Sequence, residues 1–315
     1  MSLDERADQM LAATEILTNE FGPIHDVEVF QTWGATLVLG ATLANDRMVV
    51  IKASAMQDVR VEAHTSTMAA SVGFPVPSIL GQGYDARLPG GHWFAMEHLR
   101  GVWWHDVDWS RAQHLSMLAE LAQHLVALHS VRIDGYGPLE LNGTGTFTSW
   151  FDWLRSGFER SAAILKASGA IPDAFTEALL DALTALSPEL DRRPSVLLHS
   201  DLGDMEVYVD PAGGTITGIM DWGNSIGGDP LYEFSRFVAG GPANDPRPCL
   251  YRQPLRELYD RFSHSLSPHD PAIECLYDLH NTMLNAEWAV REAPDWIASL
   301  CEIAIAQLGA LQHRS

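Results

Sequence analysis

The chain is short of cysteine, of basic residues and of long apolar runs. Its 315 residues include three cysteines, Cys249, Cys275 and Cys301. An odd number without metal-ligand spacing predicts neither a disulfide framework nor a zinc site. Lys and Arg number 20 against 41 Asp and Glu, a formal net charge of -21. That balance argues against a nucleic-acid partner, whose phosphates need a basic patch. It suits a cationic small molecule drawn in by a negative field, although acidity also serves solubility. No apolar run approaches the ~20 residues that span a bilayer, so no membrane partner is expected. The opening Met1-Ser2-Leu3-Asp4-Glu5-Arg6 lacks the basic-then-apolar layout of a secretion signal, and a cytoplasmic location is expected. Gly-x4-Gly-Lys-Ser/Thr is absent, which excludes a P-loop. There is no internal repeat. The length allows one large or two modest domains.

What is present concentrates in residues 195–237. The apolar run Val196-Leu197-Leu198 ends in His199-Ser200-Asp201. A hairpin is predicted next, with strands over 207–209 and 215–220 and a Pro/Gly-rich turn over 210–214. Its second strand ends at Asp221-Trp222-Gly223. Acidic side chains are thus delivered where each strand leaves the sheet. One carboxylate so placed can take a proton from a hydroxyl, and another can hold Mg2+ on a phosphate.

The array His199-Ser200-Asp201-Leu202-Gly203-Asp204-Met205-Glu206, then Ile219-Met220-Asp221-Trp222-Gly223 and Gly228-Asp229-Pro230, resembles the aminoglycoside phosphotransferase family. The usual pattern there is His-Gly-Asp-Leu-His-Pro-Gly-Asn, a short hairpin, Ile-Asp-Phe/Trp-Gly and Gly-Asp-Pro. The resemblance implies an α+β, bilobal, protein-kinase-like fold, with a small antiparallel-sheet N-terminal lobe and a larger, mainly helical C-terminal lobe. It makes Asp201 the catalytic base and Asp221 the main metal ligand. Ser200 replaces the usual Gly, and Gly203-Asp204-Met205 replaces His-Pro-Gly. Glu206 stands where the family has a metal-binding Asn, and it is expected to serve as a metal ligand itself.

Along the chain, a helix is expected over 7–21, then strands over 27–32, 36–43 and 47–52. Gly34 and Thr36 lie between the first two strands. Read alone they form a tight turn; the resemblance makes them part of a nucleotide-covering loop. Lys52, by itself a strand-end charge, becomes the phosphate-binding lysine. Glu62, on a helix predicted over 58–71, becomes its partner. Glu97, His98 and Leu99 fall at the link between lobes, where backbone groups meet an adenine edge. The expected domains are 1–100, binding nucleotide, and 101–315, carrying catalysis and the acceptor pocket. A helix is predicted over 111–131, a loop over 134–145, and helices over 149–168, 172–186, 231–238, 254–265, 271–291 and up to 311. Asp229 is expected to brace the catalytic loop. Carboxylates such as Glu274, Asp278 and Glu287 either face a cationic acceptor or are solvated surface.

The leading expectation is a phosphotransferase moving the γ-phosphoryl group of ATP or GTP, with Mg2+, to a hydroxyl of a small cationic acceptor. An aminoglycoside-like antibiotic is the expected acceptor, which would make this a resistance enzyme. Kinases of choline, homoserine or macrolides share the implied fold, and a binding module without turnover is the reading of a different class.

Overall fold

The structure, a computed structural model, describes residues 3–31, 35–237, 251–263 and 269–313. Gly34 and Cys249 lie outside the described residues. Helix α1 (Leu3–Phe21) buries Ala13 and Leu17 fully, the one-sided stripe that a 3.6-residue period produces. The strands β1 (Ile24–Gln31), β2 (Thr36–Leu43) and β3 (Met48–Ser54) follow, then α2 (Val59–Ala70), β4 (Ile79–Tyr84) and β5 (His92–Glu97). Among the described residues these strands make one antiparallel sheet, ordered β1-β2-β3-β5-β4. The two-residue period of β2 and β3 sorts their side chains between faces. Leu37, Leu39, Val49 and Ile51 pack with α1, and Val38 and Val50 with Val59 and Ala63 of α2. With both faces covered, these strands read as continuous apolar runs.

Gly101 makes the turn out of the sheet at φ +106; a Cβ there would sit 2.1 Å from the Val209 carbonyl oxygen. Beyond it come β6 (Val102–Trp103), α3 (Arg111–Leu128), β7 (Tyr136–Leu139), β8 (Gly145–Phe147), α4 (Trp150–Ala167), α5 (Asp173–Ala185) and α6 (Ser187–Leu190). The remainder is β9 (Val196–Leu198), β10 (Val207–Asp210), β11 (Thr215–Ile219), β12 (Ile226–Gly228), α7 (Pro230–Arg236), α8 (Arg252–Ser263), α9 (Pro271–Glu292) and α10 (Ile297–Gln312). This is the larger, mainly helical lobe of a bilobal α+β protein. A capping box between Ser110 and Gln113 starts α3, satisfying N–H groups that the first turn leaves open. The α3 stripe of Leu118, Leu121, Leu125 and Leu128 is fully buried. No helix among the described residues is long and apolar enough to cross a membrane.

One expectation fails here. Residues 134–145, read as a loop, contain β7 and the start of β8, in a small sheet ordered β8-β7-β12-β9. β7 pairs with β12, which lies far along the chain, and this glycine-rich stretch has no alternating pattern to announce it.

The segment after α2 is tied to the larger lobe. Phe74 meets Trp222 edge-on at 5.3 Å, and the Ile219 N–H donates to the Pro75 carbonyl at 2.8 Å.

Candidate functional site

Between the sheet and the β10–β11 hairpin lies a cavity of about 560 Å3. Lys52, Glu62, Glu97, His98, Leu99, Glu206 and Asp221 all line it, so residues far apart in the chain converge there. Lys52 Nζ donates to Glu62 Oε1 at 2.8 Å and to Asp221 Oδ1 at 2.9 Å. Glu62 sits in the first turn of α2, where the helix dipole favours a carboxylate, and Asp58 caps that turn through the Arg60 N–H. Gln57 Nε2 holds the other Glu62 oxygen at 3.1 Å. Burial drives the Lys52 pKa down, but Glu62 and Asp221 more than offset this and hold it above the ordinary lysine value. For Asp221 burial raises the pKa and Lys52 outweighs it, leaving the carboxyl below its usual range. A lysine held charged in this way presents a fixed cation to an anionic ligand.

Asp221 reaches Lys52 from a left-handed backbone, φ +64. Asp tolerates that region better than most residues, because its short side chain can bond locally. The Leu99 N–H has no partner among the described residues, whereas the Glu97 N–H bonds Ser78 and the His98 N–H bonds Met48. Leu99 therefore offers a backbone donor to the cavity's edge. Thr36 is not in the cavity wall; its hydroxyl lies 2.7 Å from Ser54 Oγ.

Asp201 is fixed at both oxygens. Oδ1 accepts from Arg236 Nη2 and Oδ2 from Asn224 Nδ2, each at 2.7 Å. Arg236 also donates to the Ser200 carbonyl and to Asn281. The loop's own N–H groups are satisfied by Glu233, which is fully buried. Glu233 Oε2 accepts from the His199 N–H at 2.8 Å and Oε1 from the Ser200 N–H at 2.9 Å. Burial would raise the Glu233 pKa, but His129, then His199 and the Ser200 N–H, hold it below the usual range. The expected brace, Asp229, accepts the Leu231 N–H and the Tyr277 hydroxyl. Glu233, Arg236 and Asn224 lie outside the residues singled out from the sequence. Glu233 and Arg236, one turn apart in a run that is otherwise apolar save Ser235, were the available signal.

Ser200 has φ +64, a conformation that costs a residue with a Cβ about 1–2 kcal/mol. Ser200→Gly is therefore expected to stabilise the fold, by about 0.5–1 kcal/mol once the looser unfolded chain is counted. Urea unfolding measures this, and a loss of stability would assign the hydroxyl a structural role.

The Glu206 carboxylate meets only its own backbone N–H among the described residues. Burial, then Asp201, Asp221 and Asp204, push its pKa well above the ordinary value. An unmatched carboxylate among like charges is a hard oxygen donor that a cation would stabilise. Among the described residues no three His, Cys, Asp or Glu form a complete metal cage.

A second cavity, of about 280 Å3, is lined in part by Ser200, Asn224 and Arg236, the chain neighbour and the two partners of Asp201. Trp153, Ser156, Asn224, Tyr232, Arg236 and His280 help line it. The carboxylates on α9 do not. Glu274 pairs with Arg256, Asp278 with Arg252, and Glu287 with Arg160.

This frame is that of the kinase-like small-molecule phosphotransferases. Aminoglycoside phosphotransferase APH(4)-Ia superimposes with a TM-score of 0.71 at 19% identity, over 96% of this chain and 99% of that one. A thermostable mutant of it, in ternary complex with AMP-PNP and hygromycin B, gives 0.70 at 20% identity, over 95% and 98%. At such identities the likeness speaks for the fold alone. The model of the phosphotransferase enzyme family (APH) matches residues 42–266, and the chain belongs to that family. Hygromycin-B 4-O-kinase of Escherichia coli is 26% identical over 177 residues, which span 55% of this chain and half the length of that relative.

Proposed function

We propose that this chain transfers the γ-phosphoryl group of a nucleoside triphosphate, ATP or GTP, to a hydroxyl of a small molecule. The observation that carries the reading is Lys52, held between Glu62 and Asp221 on the wall of one cavity. The partners of Asp201, Asn224 and Arg236, line a second cavity. On this reading residues 1–100 bind the nucleotide and 101–315 supply catalysis and the acceptor pocket. The protein works in the cytoplasm, where nucleotide is available. The complex of APH(4)-Ia with AMP-PNP and hygromycin B favours ATP as donor and an aminoglycoside-like, antibiotic-type acceptor, as does the acidic net charge.

Lys52 neutralises phosphate oxygens, and the free Leu99 N–H meets the base edge. Asp201, its carboxylate oriented by Arg236 and Asn224, takes the acceptor's hydroxyl proton. The acceptor oxygen then bonds to the γ-phosphorus as the bond to the β–γ bridging oxygen breaks, and the nucleoside diphosphate leaves. Asp221 and Glu206 would hold Mg2+, which supplies charge neutralisation on the phosphates. Such catalysis rests on positioning and electrostatics, so these few groups suffice.

Calorimetric titration with ATP and with GTP, with and without Mg2+, tests the donor site. Mass spectrometry of hygromycin B and related antibiotics after incubation tests transfer. A protein that binds no nucleotide at any Mg2+ concentration would be a binding module instead. Glu206 provides a sharper check. Glu206→Asn is expected to stay active with a shallower Mg2+ dependence, because one repelling charge beside the triphosphate is gone. Glu206→Ala is expected to lose most turnover. Normal turnover in Glu206→Ala would place the carboxylate outside the mechanism.

A further inference from the structure

The second cavity differs in character from the acidic exterior. No carboxylate lines it among the described residues, in a chain whose net charge is -21. Its charged lining groups are Arg160 and Arg236. Arg160 Nε lies 3.1 Å from each Glu287 oxygen, and Arg236 Nη2 lies 2.7 Å from Asp201 Oδ1. The arginines line the cavity and their carboxylates do not. An ammonium entering here finds no carboxylate on the wall to pair with, and an anion finds guanidinium groups already engaged by Glu287 and Asp201.

The rest of the wall suits a ring. Trp153, stacked on Trp150 at 4.5 Å, presents an apolar face together with Phe147 and Pro138. The Ser156 hydroxyl has no partner among the described residues. His280 is 1% exposed; its Nδ1 is 2.8 Å from the Tyr232 hydroxyl, and its Nε2 has no partner. Burial, then Arg160 and Arg236, bring its pKa down to about 3, so the imidazole is neutral. A Cβ on Gly157 would come within 2.2 Å of that Nε2, so only glycine leaves the nitrogen its place. A buried unmatched nitrogen is costly, and a hydroxyl, both donor and acceptor, satisfies it in either tautomer.

We propose that this cavity, on the phosphotransferase reading above, seats an uncharged, hydroxyl-bearing ring of the acceptor. Trp153 underlies the ring, Ser156 and His280 bind its hydroxyls, and rings carrying an amine are turned away. Amino groups elsewhere on the acceptor stay outside, toward the acidic surface.

Methyl glucoside, its 2-amino analogue and methyl glucuronide form a matched neutral, cationic and anionic set. Binding is read by saturation-transfer NMR and Trp fluorescence, and transfer by label from γ-phosphate-labelled ATP. The neutral ring should bind and react at least about tenfold better than either charged one. Trp153→Ala and His280→Phe should lose that binding while ATP affinity stays unchanged. His280→Gln should restore part of it. Arg160→Glu should shift the preference toward the amino ring, with Arg160→Gln as the milder variant and thermal melting to show that each stays folded, since Glu287 loses its partner. Preference for the amino or acid ring, binding of none of the three, or an unaltered ratio in Arg160→Glu would overturn the proposal. Failure to bind ATP would sink the phosphotransferase reading separately, because NMR still reports on the ring cavity.

Discussion

Asp201→Asn is expected to lower kcat by about 10²–10⁴-fold, the scale of a positioned acid or base, with nucleotide affinity nearly unchanged. The amide keeps an oxygen for Arg236, and Asn224 can turn its own oxygen to the new NH2. The loop geometry should therefore survive, and what disappears is the proton acceptor. Stability should fall by about 1–3 kcal/mol, less than for a fully buried pair, since the Asp201 side chain is 41% exposed. Steady-state kinetics alongside calorimetric titration of nucleotide separates the two effects. Turnover near the wild-type rate would remove Asp201 from the reaction.

Lys52→Met carries the second large effect, on two readouts. It leaves Glu62, whose side chain is 5% exposed, without its cation, and breaking a buried pair from one side costs about 3–5 kcal/mol. Nucleotide affinity should also fall by about 10²-fold or more, because a charge aimed at phosphate is gone. The double variant Lys52→Met/Glu62→Gln separates these effects. It should recover stability, as no buried charge is stranded, yet stay poor in nucleotide binding. Recovery of binding as well would mean that Lys52 matters only to the fold.

Much of this was legible in the sequence because it is local. The strand ending at Lys52, the helix bearing Glu62 and the hairpin between Glu206 and Asp221 each carry their own periodicity or turn chemistry. That they would meet was implied by the family resemblance of the motif array. What escaped was set by tertiary contact. β7 pairs with β12, and no feature of either stretch names the other. Asp229 stands in the motif and Glu233 one helical turn beyond it, and only packing decides which carboxylate turns toward the His199 and Ser200 N–H groups. The positive φ of Ser200 was signalled only by the Gly that the family pattern has there, since a serine does not itself announce it. The acceptor side was the least legible: net charge describes the whole surface, whereas the cavity beside Asp201 is lined by aromatic rings and paired arginines.

The anchoring of the segment after α2 bears on control. In kinases regulated by a swinging helix, the off state is made by carrying the glutamate away from its lysine. Here α2 runs into Phe74 and Pro75, which are fastened to Trp222 and Ile219, the residues flanking the strand end that delivers Asp221. Displacing Glu62 would tear the hairpin that carries Asp221 as well. The tether thus couples the position of Glu62 to that of Asp221, so a shift of α2 would be felt at both carboxylates that hold Lys52.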